Sequence, residues 1–162
     1  MIVNKLTATQ KEQLKLVPSV QYHSLEYWPC KVITTDGKSY DNVYLTDVDE
    51  YRFYWDLLPD EDASKQYVVI EDVKEIYESP NRIPPAMAEK LYDAGETITG
   101  FSLFTVFFDN NTSLEILAGT VVDFIPMPEG LTTQNITDVL PHKGNRTGYV
   151  TAPTYHWCLY KK

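Results

Sequence analysis

Apolar and polar residues alternate over most of the chain, in short runs broken by Asp, Asn, Gly and Pro, the pattern of half-buried β-strands. Residues 31–45 hold two such runs on either side of Asp36 and Gly37, a pair that favours a tight hairpin. A third strand is expected over 50–55, where Tyr51, Phe53 and Trp55 alternate with Arg52 and Tyr54, and two more over 66–70 and 72–77. Further along, strands are expected over 101–108, 113–117, 120–125 and 136–139, with a turn at 109–112. In the tail, Tyr155, Trp157 and Leu159 would face one way and His156, Cys158 and Tyr160 the other, as in a last strand that closes the second set or pairs with the first.

Two short helices interrupt this pattern. Thr7 and Thr9 are followed three residues later by Gln10 and Glu12, the spacing of a capping box, with Leu6, Leu14 and Leu16 as the buried side and Pro18 as the stop. The second helix runs from Pro84 and Pro85 to Gly95, with Met87 and Leu91 on one face.

The strands form two sets in the same order. Setting Asp36 over Asp109 aligns the hairpins, and the segment from Ile70 to Val73 then falls opposite that from Ile136 to Val139. The expected fold is mainly β: two related small antiparallel barrel-like units, an internal duplication, with two short helices. The units would be 1–80, comprising the first helix and first barrel, and 101–162, the second barrel with the C-terminal strand, joined by a helical linker over 81–100. A strand, a turn at Asp36 and Gly37, two more strands and a short Ile-x-Asp-Val segment leading into a last strand resemble the Sm-like and Src-homology-3-like small barrels. The resemblance covers 29–78 well and 101–142 less well. It implies a fold and withholds RNA binding, because the usual Asn and Arg/Lys-Gly sites are lacking and nothing basic or glycine-rich replaces the second RNA-contacting motif near Asp72.

Charge sharpens this picture. Of the 23 acids, twelve lie between Asp41 and Glu78 against three bases, so that segment carries the whole net charge of −9 and the rest of the chain is neutral. An acidic field of this kind repels nucleic acid and favours a basic partner, though it also serves to keep strand surfaces soluble. No apolar leader or membrane-length run is present, and two cysteines make no disulfide framework, so the chain is expected in the cytoplasm with Cys30 and Cys158 reduced. The N-glycosylation patterns at Asn110, Asn135 and Asn145 are then chance matches.

Motifs for nucleophilic, nucleotide or zinc-protease chemistry are absent. His156 and Cys158, two apart on a strand, are half of a metal site whose other half, Cys30 or His23, has no supporting spacing, so no metal and no cofactor are expected. Asp60, Glu61 and Asp62 fail the calcium-loop spacing. Tyrosine and tryptophan among the acids are the stronger signal, because such residues dominate interfaces and cage cations. The expected function is a non-enzymatic interaction domain that binds a basic protein through Asp49, Tyr51, Tyr54, Trp55, Asp60, Glu61 and Asp62. An immunity-type inhibitor of a toxin is its sharper form. A small-ligand binder or enzyme using a cleft lined by Glu96, Asp123 and His142 is the alternative, and an Sm-like RNA module a further one.

Overall fold

The computed structural model describes residues 3–56, 65–144 and 148–162. The elements run α1 (Ala8–Lys15), β1 (Val20–Tyr22), β2 (Leu25–Thr34), β3 (Ser39–Asp47), α2 (Val48–Trp55), β4 (Val73–Tyr77), α3 (Pro85–Ala94), β5 (Ser102–Phe108), β6 (Ser113–Ala118), β7 (Ile136–Pro141), β8 (Val150–Thr151) and β9 (His156–Tyr160). The protein is mainly β, as its alternation predicts, with two sheets. Neither sheet closes into a barrel, which corrects the barrel expectation. Among the described residues no helix is long and apolar enough to cross a membrane.

The chain divides into a first unit, Met1–Ser79 with Thr154–Lys162, and a second, Pro80–Pro153. The C-terminal strand, expected with the second set, therefore belongs to the first: β9 lies parallel to β3, with Tyr44 opposite Trp157 and Leu45 opposite Cys158. The 81–100 stretch is no linker, because α3 packs on β7 and contributes Ala88 and Leu91 to the second core.

In the first unit β2 is flanked by β3 and, on its other side, by β1 and β4, all antiparallel. Both faces are covered. Leu6, Leu14 and Val17 at α1 pack with Cys30, Val32, Val43, Leu45 and Cys158 on one face. On the other, Tyr51 of α2 meets Trp157 at 5.0 Å between ring centroids, and Trp157 meets Tyr44 at 5.1 Å and Tyr27 at 5.8 Å. This two-sided burial explains why Trp157, Cys158, Leu159 and Tyr160 are all buried, where alternation alone expects one dry face. Helix α1 begins as its sequence predicts: the Thr7 hydroxyl accepts from the Gln10 amide at 3.1 Å and the Gln10 side chain accepts from the Thr7 amide at 3.0 Å. Leu16 is 78% exposed, however, and Val17 takes its expected place in the core.

Residues 50–55 are helical, not a strand. Asp47 is the N-cap, its carboxylate accepting from the amides of Asp49 at 3.1 Å and Glu50 at 3.0 Å, and the two acids of the first turn suit the positive end of the helix. Two other expected strands also differ. Over 66–70, only Tyr67 bridges to Trp157 before a 3-10 turn at Ile70–Asp72, and over 120–125 only Phe124 bridges, to Arg82.

The second unit repeats the first unit's strand order. Strand β5 pairs antiparallel with β6 and β7, and β8 runs parallel to β6, as β2 pairs with β3 and β4 while β9 runs parallel to β3. Matching backbone hydrogen bonds fix the frame: Thr34 to Lys38 with Phe108 to Thr112, and Thr35 to Asp72 with Asp109 to Asn135. Asp36 thus corresponds to Asn110, one residue beyond the alignment read from sequence, and Gly37 and Asn111 both take positive φ (84° and 66°). Val73 likewise corresponds to Ile136, not to Val139, because the 3-10 turns at Ile70–Asp72 and Thr133–Asn135 precede the matching strands.

Cys30 and Cys158 are both thiols, fully buried on strands either side of β3. Burial, with a smaller contribution from Cys30, pushes the Cys158 thiol well above its ordinary range. Both thiols are expected to resist a disulfide reagent in the native protein and to react after denaturation. Fast labelling of both without unfolding would contradict their placement.

Candidate functional site

Of the residues expected to meet a basic partner, the described ones, Asp49, Tyr51, Tyr54 and Trp55, have other occupations. Tyr51 is 1% exposed and lies in the aromatic core, its hydroxyl 3.0 Å from that of Tyr67. Trp55 is half-buried, and the ammonium of Lys65 stands 3.9 Å from its ring centroid and 5.5 Å from that of Tyr51. A cation-binding aromatic pair exists there, but the chain's own lysine fills it. Tyr54 packs edge-on against Trp55 at 4.9 Å and stacks with His23 at 6.3 Å. Asp49 forms an ion pair with Lys161, and Glu50 one with Lys162 at 2.7 Å. Asp47 receives the Lys162 amide at 3.1 Å. The acidic run around α2 is thus partly neutralised by the C-terminal lysines. Asp60, Glu61 and Asp62 lie outside the described residues.

An acidic, tyrosine-lined pocket forms elsewhere in the first unit. Thr34, Asp36 and Tyr40 from the β2–β3 hairpin, Tyr67 and Asp72 from the segment entering β4, and His156 at the start of β9 line a cavity of about 310 Å³. Hydrogen bonds hold the hairpin turn. The Asp36 carboxylate accepts from the Thr34 hydroxyl and from the Lys38 amide at 3.2 Å, and the Thr35 amide donates to the Asp72 carbonyl at 2.8 Å. The Thr34 hydroxyl, then the Lys38 amide, hold the Asp36 carboxyl below its ordinary range, so it is ionised at neutral pH. His156 meets Tyr40 edge-on at 5.2 Å, and burial pushes its imidazole below the ordinary value of 6.5. At neutral pH the pocket therefore offers two carboxylates, two phenols and a neutral imidazole, a set suited to a cation.

The three cleft candidates of the second unit have separate partners. Glu96 accepts from the Gly100 amide at 3.0 Å in an exposed turn. Asp123 is fully buried and accepts from the Tyr92 hydroxyl. His142 Nε2 lies 2.8 Å from Glu115, whose carboxylate also accepts from the Thr105 hydroxyl at 2.8 and 2.9 Å. On the other side of the ring, Nδ1 accepts from the Gly144 amide at 3.2 Å and lies 3.3 Å from the Tyr149 hydroxyl. An acceptor at Nδ1 fixes the neutral tautomer with its proton on Nε2, donated to Glu115. Thr105 and Glu115 carry no sequence signal linking them to His142, since the register of β5 on β6 and β7 is what gathers them.

Among the described residues no group of three or more His, Cys, Asp and Glu is placed to hold a metal ion. No family model, curated protein or solved structure matches the chain.

Proposed function

We propose that the protein is a non-enzymatic interaction domain whose first unit receives a basic side chain of a protein partner in the pocket of Asp36, Asp72, Tyr40, Tyr67 and His156. The observation that carries this reading is the convergence of two carboxylates and two tyrosines on one cavity in a chain whose net charge is −9. The carboxylates select a cation, and the phenol rings give its alkyl stem an apolar wall. Inhibition of a basic toxin is the special case in which the pocket is filled by a residue of the toxin's active site.

An oligolysine peptide at low salt is the probe. Asp72→Lys is expected to weaken its binding about tenfold, and the pair Asp36→Lys with Asp72→Lys further, while Glu89→Lys on exposed α3 changes it less than about twofold. Asp72→Lys keeps the test valid if the Asp36 turn does not tolerate lysine. Lowering the pH through the depressed pKa of His156 charges the imidazole while Asp36, held below the ordinary carboxyl value, stays ionised longer, so affinity is expected to fall. Folding follows the same sign. A histidine whose folded pKa is depressed favours the native state above 6.5, and that contribution is lost as pH falls through the folded value. Peptide binding unchanged by Asp72→Lys and by pH would overturn the assignment.

A further inference from the structure

A second groove in the first unit has the opposite chemistry. Its floor is the outer edge of the core, formed by Leu6, Leu14, Trp28 and Tyr160, and it encloses about 410 Å³. Its rim carries Lys5, Lys11, Lys15, Lys161 and Lys162, five of the chain's 14 basic residues, in a protein that is acidic overall. Three of these lysines are compensated: Lys15 by Glu12 at 2.8 Å, Lys161 by Asp49, and Lys162 by Glu50 at 2.7 Å. Lys5 and Lys11 form no salt bridge among the described residues. The rim therefore holds two ammonium groups in excess over an apolar floor.

We propose that this groove binds a free amphiphile with one apolar chain and one carboxylate head, of the class of medium-chain fatty carboxylates. Two features choose this occupant over an acidic protein segment. A single compartment of about 410 Å³ lies in the range of small-molecule sites, whereas a docked helix needs a row of apolar subsites. Two uncompensated lysines match one anionic head and would leave most charges of a polyacidic peptide unanswered. The apolar chain lies against Leu6, Leu14 and Trp28, and the head sits at the mouth between Lys5 and Lys11. The assignment is independent of the acidic pocket, with which it shares no residue.

Decanoate, kept below its micelle concentration, is the probe for the full chain, read by NMR shifts of the Trp28 indole and of the Leu6, Leu14 and Tyr160 amides. Saturable shifts at these residues are expected, with decanoate binding at least about tenfold tighter than decyltrimethylammonium or acetate. Lys5→Glu with Lys11→Glu is expected to weaken decanoate about tenfold without moving the melting temperature, and Lys5→Gln with Lys11→Gln serves if the reversed charges disturb α1. Equal binding of the cationic amphiphile, shifts centred elsewhere, or no effect of either double variant would overturn the proposal. Tighter binding of a Glu- and Leu-rich helical peptide than of decanoate would also overturn it, by giving the groove to a protein segment.

Discussion

Trp157→Ala is expected to remove about 3 to 5 kcal/mol of unfolding free energy, the largest loss foreseen for any single substitution in the first unit. Trp157 is 1% exposed and packs against Tyr27, Tyr44, Tyr51 and Tyr155, so truncation opens a cavity walled by four phenol rings. Its backbone also ties the segment before β4 to β9, donating to Gln66 at 3.0 Å and accepting from Val68 at 2.9 Å. Trp157→Phe separates packing from polarity. The indole nitrogen is buried without a hydrogen-bond partner among the described residues, so losing that donor offsets part of the lost volume. A penalty of about 1 to 2 kcal/mol is expected for phenylalanine. Urea unfolding of the three proteins reads both values. An alanine variant less than about 1 kcal/mol below the parent would show that β9 is not integral to the first core.

In the second unit the largest effect is expected from Glu115→Ala, at about 2 to 4 kcal/mol. The substitution leaves the fully buried Thr105 hydroxyl and the His142 Nε2 proton, in a side chain 10% exposed, without their acceptor. Glu115→Gln keeps one acceptor oxygen, so roughly half the loss is expected. The His142 Nε2 proton, observable by NMR because it is held in a hydrogen bond, should broaden or vanish in the alanine variant. Urea unfolding within about 0.5 kcal/mol of the parent would mean that water replaces the carboxylate and that the network adds little to stability.

What the chain discloses by itself is local. The cap at Thr7, the proline start of α3 at Pro85, the hairpin at Asp36 and Gly37 and the turn before Ser113 depend on residues within a few positions, and they stand where the pattern puts them. The segment over 50–55 misleads because Tyr51 and Trp55 satisfy both periods: they share a strand face and also lie four apart on a helix. The Asp47 carboxylate decides between the two. The acidic stretch was legible as charge but not as surface, since the lysines that pair with Asp49 and Glu50 lie 112 residues further along. The acidic pocket was hidden for the same reason. Asp36, Tyr40, Tyr67, Asp72 and His156 were each visible as residue types, but the pairing of β2 with β4 brings Asp72 to the hairpin and the parallel pairing of β3 with β9 brings His156, and no nearby residue announces either.

That same pairing sets an order of assembly on the ribosome. Pro80–Pro153 is continuous and is translated in full before β9, so the second unit has all its strands while the first still lacks the neighbour of β3. Until Thr154–Lys162 emerges, β3 is an open edge and Tyr44 has no Trp157 to cover it. The nascent first unit thus waits on Thr154–Lys162, exposing in the interval an aromatic surface that is buried in the finished protein.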